Sequence, residues 1–120
     1  MDYELKLLSG WEDVFKKSQL TLWILLALHD GPKHMTDIKD FITKATNGLI
    51  VADDKSVYRA LRRFNDVEMV EYQSQSNDKG PDRKLCILTV TGRTVLSQFV
   101  RRNIVGVFFK DSIRHTLQSL

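Results

Sequence analysis

The stretch Gln19-Leu20-Thr21-Leu22-Trp23-Ile24-Leu25-Leu26-Ala27-Leu28-His29 constrains the fold more than any other. It is far too short to span a bilayer, which takes about 20 apolar residues. A helix that is apolar nearly all round has no face to give to water, so it must be wrapped by other elements. The domain is therefore expected to be built around this helix, from Gln19 to His29, with Ser18 as its cap. Asp30-Gly31-Pro32 should end it, because glycine tolerates the left-handed backbone and proline cannot continue a helix.

The flanking segments supply the wrapping. Ser9-Gly10-Trp11-Glu12 has the capping-box spacing and predicts a separate short helix with Trp11, Val14 and Phe15 on one face. After the turn, Met35, Ile38, Phe41, Ile42 and Ala45 recur at helical spacing, predicting a helix over 36–46 that Asn47-Gly48 breaks. Leu49-Ile50-Val51 predicts a small strand. Asp53 or Asp54 then caps a third helix, Lys55 to about Val67, with Val57, Leu61 and Phe64 inward and Ala60 beside them.

Beyond it the period changes from helical to two. Met69, Val70 and Tyr72 lead out, Asn77-Asp78-Lys79-Gly80-Pro81-Asp82 turns the chain, and Leu85–Thr89 returns, making a β-hairpin with a polar, basic tip. Thr91-Gly92-Arg93 opens a long helix with Leu96, Phe99, Val100, Ile104, Val107 and Phe108 on a broad apolar face. The expected class is mainly α with a small β-hairpin (α+β): a winged helix-turn-helix over 1–90, followed by a C-terminal dimerisation helix and tail over 91–120.

A chain of 120 residues fits one domain. Its single cysteine, Cys86, precludes an intramolecular disulfide and favours a reducing compartment. The opening Met1-Asp2-Tyr3-Glu4 lacks the basic region of a secretory signal, so a cytoplasmic location with no membrane partner is expected. The net charge of +3 is too small to argue for nucleic acid, but its distribution is directed. Lys55, Arg59, Arg62 and Arg63 stand together with no acid among them, and Lys79, Arg83 and Lys84 flank the Gly-Pro turn. His29, His34, His115 and Cys86 fit no compact metal-ligand spacing, and nothing resembles a nucleophile elbow or phosphate loop. No metal, no cofactor and no enzymatic activity are expected.

Leu22-Trp23-Ile24-Leu25-Leu26-Ala27-Leu28-His29-Asp30-Gly31-Pro32 resembles the first helix and turn of PadR-family regulators. Val57-Tyr58-Arg59-Ala60-Leu61-Arg62-Arg63-Phe64 resembles their recognition helix. Arg83-Lys84 with Leu88-Thr89 and Gly92-Arg93 is similar to their wing strand and entry to the last helix. The chain departs from the family's usual Gly-Tyr at Met35-Thr36, and from its usual glycine at Glu68. The resemblance implies a dimeric repressor on a palindromic operator, released by a signal such as a small molecule.

On this reading Lys55, Ser56, Tyr58, Arg59, Arg62 and Arg63 of the recognition helix and Lys79, Arg83 and Lys84 of the wing contact double-stranded DNA. Arginine can pair bidentately with guanine, whereas a charged wing tip adds affinity without base information. Trp11, Val14, Phe15, Leu96, Phe99, Val100, Ile104, Val107 and Phe108 form the homodimer contact, and Trp11 and Phe99 are candidates for lining an effector pocket. The alternative is a winged-helix module that binds protein rather than DNA, which the basic surface of the Lys55–Val67 helix disfavours.

Overall fold

A computed structural model describes residues 2–76, 79–81 and 83–120. Its elements run α1 (Asp2–Asp30), α2 (Met35–Ala45), α3 (Asp54–Asp66), β1 (Val70–Gln75), β2 (Arg83–Leu88), α4 (Val90–Val100), a π-helical turn (Arg101–Val105), α5 (Gly106–Phe108) and α6 (Asp111–Gln118). Three helices, an antiparallel hairpin and a further helix make a winged helix-turn-helix, as the periodicities predict. Asn77, Asp78 and Asp82 of the expected turn lie outside the described residues.

The apolar run of α1 is wrapped as its composition demands. Ile24, Ala27 and Leu28 are buried against Ile38 and Ile42 of α2, Val57 and Leu61 of α3, and Val70, Cys86 and Leu88 of the hairpin. Trp23 packs at the edge of this core, its indole N–H donating to Gln19 Oε1 at 3.2 Å. The chain leaves α1 at Asp30, where the Lys33 ammonium donates to the Ala27 carbonyl and pairs with Asp30, both at 2.8 Å.

The two helices expected before Pro32 are one. Acidic Asp2 and Glu4 in the first turn suit the positive end of the helix dipole, and Tyr3-Glu4-Leu5-Lys6-Leu7-Leu8 carries no breaker. Ser9 therefore lies inside α1 and caps nothing. Ser18 likewise donates back to the Phe15 carbonyl at 2.8 Å, as a serine inside a helix does. The expected strand at Leu49-Ile50-Val51 is also absent. Ile50 is buried while Leu49 and Val51 are exposed, an alternation of strand type, but among the described residues no strand pairs with it. Its N–H donates instead to Thr46 Oγ1 at 3.1 Å, closing the α2–α3 turn.

The hairpin pairs Val70 with Leu88 through to Gln75 with Arg83. Lys33, in the α1–α2 turn, adds a two-bond bridge to Cys86, with N···O distances of 2.8 and 3.1 Å, so β2 is held from both sides. Strand β2 ends one residue earlier than expected because Thr89 is the cap of α4: its hydroxyl accepts from the Gly92 N–H at 3.0 Å and donates to the Glu68 carbonyl at 2.6 Å. The long C-terminal helix is interrupted. A π-turn at Arg101–Val105 shifts its register, and the chain breaks after Phe108 before restarting as α6. Leu96, expected on an external stripe, is 5% exposed and belongs to the core of its own chain.

Two backbone features fix the junction between α3, β1 and α4. Glu68 has φ of 63°, the left-handed region, where β-carbon crowding costs a non-glycine residue about 1–2 kcal/mol. At Gly92 an added β-carbon would lie 2.1 Å from the Met69 carbonyl oxygen, a backbone atom held by its bond from the Thr89 N–H. The two positions should respond with opposite sign. In urea unfolding at fixed protein concentration, Glu68→Gly is expected to raise stability by roughly 0.5–1 kcal/mol, net of glycine's larger unfolded entropy. Gly92→Ala should lower it by about 1–3 kcal/mol through overpacking. Burial also pushes the Cys86 thiol up to about 11, so at pH 8 it should react with a thiol reagent only after unfolding. Rapid labelling of the native protein would contradict this placement.

Candidate nucleic-acid interface

Helix α3 has two sharply different sides. Val57, Ala60 and Leu61 are buried against α1, α2 and the hairpin, with Phe64 half-buried beside them. At 100° per residue the opposite side carries Lys55, Arg59 and Arg62, all exposed, with Asp66 one turn further on. The helix is started by Asp53, whose carboxylate accepts from both the N–H and the hydroxyl of Ser56, each at 2.8 Å. Those bonds hold the Asp53 carboxyl below the ordinary aspartate range. Asp54 is drawn aside by Lys39 of α2 at 2.6 Å, an exposed pair that raises the Lys39 ammonium's pKa and ties the two helices together. Both acids at the head of α3 thus have partners, and the arginine face beyond them is left clear.

The candidate residues fall into three groups. Lys55, Arg59 and Arg62 share the outward face. Tyr58, 48% exposed, lies on the flank toward the hairpin, and Arg63 lies on the other flank, against α1 and α4. Ser56 is engaged in the cap. On the hairpin, Arg83 and Lys84 are exposed on β2, and Lys79 is exposed at the tip.

Tyr58 and the wing enclose a cleft of about 340 Å³, lined also by His34, Thr36, Tyr72 and Cys86. The Lys84 ammonium sits 4.9 Å above the Tyr72 ring. Burial pushes the Tyr72 phenol above its usual range, with Tyr58, Arg62 and Asp66 of α3 close enough to act on it. His34 reaches the same cleft by donating from Nδ1 to the Lys84 carbonyl at 3.0 Å. Sequence reasoning had not placed Tyr72 or His34 here. The signal for Tyr72 was its two-residue spacing from buried Val70, which puts both on the inner face of β1. Nothing local marks His34.

A second, apolar groove of about 530 Å³ opens on the opposite side, between Leu22 and Leu25 of α1, Phe64 of α3, Phe99 of α4 and Ile104 of the π-turn. Phe99 is among its lining residues and Trp11 is not. Trp11, Val14 and Phe15 lie further up α1 and are 57–74% exposed. Val107 and Phe108 are exposed as well, while Val100 packs against the core and Ile104 is half-buried. Among the described residues no three histidine, cysteine or acidic side chains are grouped to hold a metal ion, and no helix is long and apolar enough to cross a membrane.

No curated protein matches the sequence significantly. Solved structures do match in fold. The PadR-family transcriptional regulator of Eggerthella lenta DSM 2243 superposes with a TM-score of 0.76 at 17% identity, over 100% of both chains. A PadR-like transcriptional regulator of Bacillus cereus gives 0.67 at 22% identity, over 85% of this chain and 94% of that one. Bacillus subtilis PadR, solved in complex with operator DNA, gives 0.61 at 20% identity, over 68% of this chain and 46% of that one. At these identities the likeness is one of fold. The sequence profile of the transcriptional regulator PadR-like family matches residues 24–98, more than half of the chain and the part that runs from the buried helix through the wing into α4. The chain therefore belongs to the PadR-like family of transcriptional regulators.

Proposed function

We propose that this regulator binds a palindromic operator in duplex DNA as a homodimer and represses transcription there. The observation that carries the reading is the outward face of α3, where Lys55, Arg59 and Arg62 stand exposed while both acids at the helix start are engaged elsewhere. In a helix-turn-helix the second helix of the motif enters the major groove, and here that is α3. Arg59 and Arg62 are the base-reading candidates, and Lys55 and Tyr58 reach backbone. Lys79, Arg83 and Lys84 follow the neighbouring phosphates. Arg63 and Ser56 are weaker members of this set, since one faces α1 and α4 and the other caps the helix.

Residues 1–90 would carry the DNA-binding unit, and 91–120 the dimerisation helix and tail, joined by the core that Gly92 and Leu96 enter. The dimer reading rests on unpaired apolar surface. Leu7, Trp11, Val14, Leu22 and Leu25 share one face of α1, at steps of three or four residues with Ser18 filling the place between Val14 and Leu22. The first three are exposed, and the last two line the apolar groove with Phe99. Phe15, Val107 and Phe108 are exposed as well, and large apolar patches on a soluble protein mark interaction surfaces. A second copy covers this surface and fixes the spacing of the two α3 helices. A small-molecule effector, working in the cytoplasm, fits the groove beside Phe99 and would act by shifting α1 against α3; Trp11 of the dimer contact would sense it.

Fluorescence anisotropy against salt tests DNA binding. Each phosphate neutralised contributes about 0.9 to the slope of log K on log salt, and Arg83→Ala should remove about one such contact on operator and random duplex alike. Arg59→Ala should cost roughly 1–3 kcal/mol on the operator and relax base preference. A flat salt response with no shift would favour a protein-binding module instead. For the dimer, sedimentation equilibrium should give twice 13.9 kDa. A Trp11→Asp, Phe15→Asp double variant should be monomeric with its helical circular dichroism intact. Wild-type monomers at micromolar concentration would reject the dimer.

A further inference from the structure

His34 is held in an unusual place for a residue at the start of a supporting helix. Its Nδ1 bonds to the backbone carbonyl of Lys84 at 3.0 Å, across fifty residues of chain. A carbonyl only accepts, so Nδ1 carries the ring proton and a neutral His34 has Nε2 as its acceptor. The ring is only partly buried and lines the cleft between α3 and the wing. Arg83 and Lys84 of β2, Tyr58 of α3 and Tyr72 of β1, beneath the Lys84 ammonium, line the same cleft; next to His34 in the chain, Lys33 is paired with Asp30, and Asp37 lies in the first turn of α2. Among the described residues that line the cleft there are two cations and no acid.

We propose that this cleft seats one phosphodiester of the DNA backbone and that His34 takes up a proton at Nε2 when the phosphate is seated. The phosphate sits among Arg83, Lys84 and Tyr58, and the new N–H of His34 donates to it. The proposal rests on the DNA-binding reading and adds a regulatory property to it: binding is coupled to proton uptake. The sign follows from linkage. Bound DNA favours the protonated imidazole, so affinity is greater at the acid end of the range in which imidazole titrates and falls as pH rises through it. Uptake of one proton per seated phosphate sets a ceiling of about tenfold per pH unit.

The test is anisotropy of a generic duplex with the full chain, from pH 6 to pH 8 at constant ionic strength. Wild type should bind more tightly at pH 6. His34→Asn keeps a donor near the Nδ1 position for the Lys84 carbonyl but cannot titrate. It should show a flattened pH response, whereas Arg59→Ala should bind more weakly with the wild-type pH response. His34→Gln serves as a second non-titrating variant, with the same expected result if His34→Asn does not fold. In an imidazole proton-resonance titration, duplex DNA should move the His34 signals toward their protonated positions. A pH-independent wild type, a non-titrating variant that keeps the wild-type response, or His34 signals that duplex DNA leaves unmoved overturns this proposal while leaving DNA binding intact. No duplex binding at any pH overturns both.

Discussion

Burial of one side of α3 against α1 is the constraint on which the rest of the structure depends. Ile24, Ala27 and Leu28 have no water-facing alternative, so α2, α3 and the hairpin must close around them. Once Val57 and Leu61 are committed to that contact, the 100° step of the helix leaves Lys55, Arg59 and Arg62 pointing away from the core. The basic face is in this sense a by-product of the apolar one. A side chain lost from the core would therefore misdirect the arginines before it removed any of them.

The wing is positioned by a different kind of contact. Strand β2 is pinned by Lys33 on one edge and β1 on the other. The junction of Glu68, Met69, Thr89 and Gly92 brings the end of α3, the start of β1 and the start of α4 to within hydrogen-bond distance. That junction accepts a left-handed Glu68 and a glycine with no room for a β-carbon. Local backbone cost is tolerated there because the surrounding bonds over-determine the geometry. The same junction passes the core into Leu96 of α4, so hairpin and C-terminal helix cannot shift independently.

Much of this was legible in the sequence, for physical reasons that can be named. The all-apolar run, the period of α2 and the two-sided α3 each report burial, and burial is what periodicity encodes. What failed were features decided by competition. Ser9 and Ser18 have the chemistry of caps, yet residues 2–8 already propagate a helix through them, and a cap forms only where a helix has to start. Ile50 alternates like a strand residue but has no partner strand. The apolar spacing of residues 90–108 reports a helix, whereas the π-turn and the break before Asp111 leave no mark in it. Of the candidate site, the outward residues of α3 follow from the helical step alone. Tyr72 and His34 depend on how a strand and a turn meet α3, which no local pattern records.

On the proposed function, two copies of this chain present their α3 faces to one duplex in two-fold relation. Hydroxyl-radical footprinting of an operator selected by the purified protein tests it most directly. Two equivalent protected patches are expected, related by the operator's dyad and centred about 34 Å apart, or a multiple of that. Arg59→Ala should weaken both patches together. A single protected patch, or protection spread without register along any duplex, would contradict it.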